Sequence, residues 1–105
     1  MMEPSNEAAA AALDAARDFA ARHVVDAAAS FELERRYPAE LVPLAGKAGL
    51  LGLMAPVEDG GRGLGLGDTA MVAQVLAAAD MGLAFSLKVH ANFSASLARV
   101  GSPDQ

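Results

Sequence analysis

The stretch Asp80–Gly101, "DMGLAFSLKVHANFSASLARVG", decides how this chain folds. Asp80 has the side-chain oxygen that an N-cap requires, Gly101 is a natural stop, and no proline falls between them. At about 1.5 Å per residue, the segment Met81–Val100 makes a helix of roughly 30 Å. Apolar residues surround it almost completely, a pattern that predicts a helix buried centrally in a bundle. Such a helix needs partners on several sides, and the rest of the sequence supplies them.

Immediately upstream, Asp68 is placed to cap a helix running to about Ala79, with Val72, Val75, Leu76 and Ala79 on one side. Further back, Pro38 sits at a helix start, Leu41, Leu44, Ala45 and Ala48 recur at helical spacing, and Gly49 stands where a left-handed terminal residue belongs. Pro43 has no amide hydrogen, so that helix is kinked there or begins later. From about Ser5 to Ala29 the chain reads as one helix, with Leu13, Ala16, Ala20, Val24 and Ala27 on its apolar face. Asp14, Asp18, Arg22 and Asp26 fall on another face, which reads as solvated.

Between these helices, "MAPVEDGGRGLGLGD" (Met54–Asp68) holds Gly60, Gly61, Gly63, Gly65 and Gly67, too much glycine for a regular element. It is no dinucleotide fingerprint, because no strand precedes it, and it lacks the Gly-Lys-Ser/Thr of a P-loop. A connecting loop is the better reading. At the other end, Ser102, Pro103 and Gln105 have the spacing of a capping box and predict the start of a further helix. No strand and no repeat is found. The expected architecture is all-α: an up-and-down helical bundle over residues 1–105, incomplete, with four helices plus the start of a fifth and truncated at its C-terminal end.

Composition narrows the function. Over 105 residues the chain is 53% hydrophobic with a formal charge of -5, and its few Lys and Arg are scattered, so a nucleic-acid surface is not expected. Without cysteine there is no disulfide scaffold and no thiol nucleophile. His23 and His90 have no ligand-type residues beside them in a motif, so no metal site is expected. The apolar run Thr69–Leu87 is long enough to span a bilayer, but Asp80 inside it costs about 2.5–3.5 kcal/mol and alanine returns little, so no membrane segment is expected. Glu3 and Glu7 stand where a secretory signal would be basic, which points to a cytoplasmic protein.

No Ser, His and carboxylate set stands out, and no catalytic residue is assigned. The polar residues of the long helix are more informative. Lys88 and Asn92 lie one turn apart and share a face with Ala84, Phe85 and Val89. That face either lines a mostly apolar pocket with two polar groups, or Lys88 reaches solvent while Asn92 bonds a neighbouring helix.

The order of these features resembles the N-terminal helical domain of the flavin-dependent acyl-CoA dehydrogenases. The resemblance covers nearly the whole chain from about Ala8. It is carried by the Tyr37-Pro38 step, Gly49-Leu50-Leu51-Gly52, the Pro56–Gly61 turn with Gly63, and Val89-His90 ahead of Gly101. Two positions depart from the family pattern: Asp59 precedes the double glycine where an aromatic is common, and Pro43 falls within the second helix.

The resemblance implies a part of an enzyme that dehydrogenates an acyl thioester between Cα and Cβ, a carboxylate taking the proton and FAD the hydride. It places much of the FAD site in a β-barrel domain and the catalytic glutamate in a C-terminal bundle, so this chain alone should hold no FAD and have no activity. It also implies that Ala84, Phe85, Lys88, Val89 and Asn92 form one wall of the acyl pocket, facing an acyl-CoA or acyl-carrier thioester. The partners implied are the missing domains or another protein chain, with self-association through uncovered apolar surface. The alternative is a free-standing helical module, derived from that domain, that binds a partner or assembles with itself.

Overall fold

In the computed structural model, which describes residues 3–105, the architecture is all-α, as the periodicity predicts. The helices are α1 (Glu7–Phe19), α2 (Ala28–Glu34), α3 (Leu41–Lys47), α4 (Leu66–Ala79) and α5 (Met81–Val100). No strand occurs among the described residues.

The expected first helix is interrupted. Asn6 caps α1 by accepting from the Ala9 amide at 2.9 Å. After Phe19 the ladder widens into one π-helical turn, Ala20–Val24, closed by the Val25 amide bonding the Ala20 carbonyl at 3.0 Å. The extra residue rotates the following side chains, so the apolar stripe ends at Val24 and the chain turns before α2. The stripe itself is correct: Leu13, Ala16, Ala20 and Val24 are all buried. Asp18 and Arg22 pair at 2.9 Å on the solvated face.

Pro38 does not start the next helix. It is buried in a turn, and its carbonyl accepts from Leu41 at 3.0 Å. The helix begins later, at Leu41, which leaves Pro43 in the first turn, where no intrahelical amide bond is missing. Gly49 has φ +75°, and the Leu50 amide reaches back to the Ala45 carbonyl at 2.9 Å, closing α3 with fully buried Leu50 beyond the left-handed residue.

Asp68 is not the cap of α4. The helix starts three residues earlier than that cap would allow, at Leu66 behind Gly65. The Asp68 carboxylate instead takes both the amide and the hydroxyl of Ser5, tying the N-terminal segment to the first turn of α4. Asp80 does cap α5, accepting from Gly82 at 3.0 Å and Leu83 at 3.5 Å.

The expectation that α5 is the central helix is also corrected. α4 holds that place, packed between α1 and α5, with Thr69, Met71, Val72 and Leu76 buried. Its side chains are mostly small or of middle size, so neighbours approach on several sides. Buried Thr69 satisfies its hydroxyl on the Gly65 carbonyl at 2.8 Å. α5 buries one face only, through Leu83, Ala84, Leu87 and Ala91. At its end, Ser102–Gln105 form a turn and not a helix, although the Ser102 amide donates to Gln105 Oε1 at 2.8 Å as a capping box requires.

Candidate functional site

The outer face of α5 is where the sequence-derived residues meet. With 3.6 residues per turn, Phe85, Lys88, Val89, Asn92, Phe93, Ser96 and Arg99 fall on the arc opposite the buried residues. Phe85 is 68% exposed, Phe93 66% and Val89 49%, an uncommon density of outward apolar surface on one helix. Ala84 is different: at 4% exposure it belongs to the core and lies under the helix.

This face divides along its length. One edge is polar, with Lys88, Asn92 and Arg99; the other is apolar, with Phe85, Val89 and Phe93. Lys88 is half-buried, and its Nζ donates to Asn92 Oδ1 at 2.8 Å. This i,i+4 bond favours one rotamer for the lysine head, and in it Asn92 bonds Lys88 on its own helix. Beside the apolar edge, a groove of about 700 Å³ opens between the glycine loop and the second half of α5, with His90, Phe93 and Leu97 on one bank and Leu51 and Gly61 on the other. Phe93 was not singled out by the motifs, although it continues the row Phe85, Val89 by one more turn.

The glycine loop holds the opposite bank in place. Its amides are spent internally: Gly61 donates to the Pro56 carbonyl at 3.0 Å, Gly63 to Ala55 at 2.8 Å and Leu64 to Leu53 at 2.9 Å. A Cβ on Gly61 would collide with the Ala55 carbonyl oxygen, so only glycine permits this approach. Arg62 reaches back over α3, donating to the carbonyls of Gly49 at 2.7 Å and Ala48 at 3.0 Å, which satisfies the C-terminal end of that helix. The Gly61, Gly63 and Leu64 amides and the Arg62 guanidinium are thereby engaged within the chain and fix the course of the loop. The described residues include no group of His, Asp or Glu arranged to hold a metal ion. No helix among them is long and apolar enough to cross a membrane.

A second polar cluster lies at the far end of the bundle. Arg36 bonds Glu34 and, at 2.8 Å, Glu40, with its guanidinium 4.7 Å above the Phe31 ring. The two carboxylates push the Arg36 pKa up. The Glu40 carboxyl lies below the usual carboxylate range, first because its own backbone amide bonds it and then because Arg36 does. Both groups are solvent-exposed and have a structural explanation in closing the α2–α3 turn.

The family described as "Acyl-CoA dehydrogenase, N-terminal domain" matches residues 6–105. The chain belongs to that family. Over 66 residues it is 42% identical to "L-prolyl-[peptidyl-carrier protein] dehydrogenase" of Pseudomonas fluorescens. That match covers 61% of this chain and 17% of the relative, so the chain corresponds to a small part of the relative's length.

Proposed function

We propose that this chain is the N-terminal helical part of an FAD-dependent acyl-CoA dehydrogenase and that the outer face of α5 is one wall of its acyl pocket. The observation that carries the proposal is the split face of α5. Phe85 and Val89 offer apolar surface to methylenes, Lys88 and Asn92 present fixed polar heads beside them, and Ala84 lets the helix seat closely on the core behind them.

The reaction implied by the resemblance withdraws a proton from Cα and a hydride from Cβ as the double bond forms, with FAD as hydride acceptor. In this reading the residues here act before that step, by orienting the acyl tail and excluding water from it. The thioester is acyl-CoA or a carrier-bound acyl group; the relative named for a carrier-bound substrate supports keeping the second. In the chain by itself, the same aromatic row is where self-association starts, which is also what the reading as a free-standing assembly module would use.

The test is the acyl chain-length profile of the enzyme that contains this domain, before and after replacing Lys88 and Val89 by alanine. Each methylene newly accommodated is worth about 0.8 kcal/mol, so kcat/KM for longer acyl groups should rise several-fold per carbon until the added depth is filled. An unchanged profile removes this face from the pocket. Absence of flavin and of thioester dehydrogenation in that protein overturns the enzyme reading and leaves the assembly module.

A further inference from the structure

The charge on α5 runs against the rest of the molecule. The chain has 13 Asp and Glu against 8 Lys and Arg, yet Met81–Val100 contains no acid and two bases, Lys88 and Arg99, both on the polar edge of the outer face. The ion pairs among the described residues all use arginine from the N-terminal part of the chain, and Lys88 is in none of them. Its hydrogen bond goes to Asn92 Oδ1, a neutral acceptor that occupies one of three ammonium donors and balances no charge. Lys88, beside Phe85 and Val89, turns its ammonium toward Asn92 at the exposed surface and pairs with no carboxylate, so it is open to an anion that arrives with the ligand.

Resting on the reading of α5 as the acyl wall, we infer that Lys88, steered by Asn92, selects acyl thioesters whose end away from the thioester carries a carboxylate. The apolar edge takes the intervening methylenes, and the polar edge takes the terminal charge through the two free Nζ donors. Lys88 touches the substrate in this assignment. Asn92 acts through Lys88 and is a positioning residue.

The experiment uses the enzyme that contains this domain and two CoA thioesters of equal carbon number, one ending in a methyl group and one in a carboxylate. The quantity read is the ratio of their kcat/KM values. The unaltered enzyme should favour the carboxylate-ended substrate, and Lys88→Met should lower that preference about 10- to 100-fold, mainly through KM, as loss of one charge-assisted hydrogen bond requires. Lys88→Arg should recover most of the preference. Asn92→Ala should lower it about 2- to 10-fold, as loss of a neutral bond does. Lys88→Gln, which stays polar and soluble, gives the same reading if the methionine variant aggregates.

Preference for the methyl-ended substrate in the unaltered enzyme, or a ratio that neither Lys88→Met nor Lys88→Gln changes, overturns this inference while leaving the acyl wall in place. Dehydrogenation of neither thioester overturns both.

Discussion

α4 and α5 are consecutive helices rich in Ala, Val, Leu and Met, separated by a single residue, yet one is enclosed and the other is half open. The difference lies in where the large side chains point. α4 puts Met71, Val72 and Leu76 into the core and, beyond the exposed Leu66 of its first turn, carries mostly small residues along its length, so α1 and α5 both approach it. α5 puts Leu83 and Leu87 inward but carries Phe85, Val89 and Phe93 outward. In the proposed reading, the outward Phe85 and Phe93 give the second face of α5 a role beyond folding this chain.

The sharpest way to break this comparison is to truncate one large residue on each helix. Leu76→Ala in α4 removes a fully buried side chain and should destabilise the chain by about 2–5 kcal/mol, read by chemical denaturation. Phe85→Ala should cost less than about 1 kcal/mol in the same measurement, because two-thirds of its surface is already in water, and should reduce self-association seen by ultracentrifugation. Equal losses at the two sites would show that Phe85 belongs to the core and that the outer face is no free surface.

A second contrast lies within the glycine loop. Gly61→Ala forces a methyl group against the Ala55 carbonyl and should cost about 1–3 kcal/mol while shifting the bank of the groove. At Gly65 nothing stands within 4 Å of the added Cβ and φ is -78°, so Gly65→Ala should leave the melting temperature nearly unchanged. Between these two lies the head of α5, where Asp80→Ala removes the acceptor for the Gly82 amide and should cost about 1 kcal/mol.

These contrasts also show what was legible in the sequence. Asp80 and Gly101 bounded α5 correctly because each terminus has one local signal, and spacing put Lys88 and Asn92 on one face without showing that they bond each other. Asp68 misled because its carboxylate had two uses, and a tie to Ser5, 63 residues away, cannot be read from local pattern. The π turn after Phe19 was invisible for a related reason: alanines at Ala20 and Ala21 fit either ladder, and tertiary packing chose between them. Spacing could place Ala84 near Phe85 but could not say that it faces inward, since an alanine suits both sides of a helix. Centrality was misassigned to α5 because periodicity counts apolar residues and does not know which of them have partners.

The smallest expected effect concerns the α2–α3 turn, where charges are matched within the chain as that of Lys88 is not. Arg36 lies between Glu34 and Glu40, and Glu40 has two causes for its lowered pKa, its own backbone amide first and Arg36 second. Arg36→Ala removes only the second. The Glu40 carboxyl, followed by NMR titration, should therefore move upward but remain below its ordinary value, because the amide still bonds the ionised form. The sign for stability follows. A carboxyl with a depressed pKa in the folded chain stabilises it above the unfolded-state value, and that contribution is lost as pH falls through the folded value. Arg36→Ala should narrow this acid-side window without moving the neutral-pH melting temperature by much, since both side chains are exposed and such pairs contribute little. A full return of Glu40 to its ordinary value would mean that the backbone bond depends on Arg36 holding the α2–α3 turn, and the cation would then be shaping the backbone as well as pairing charge.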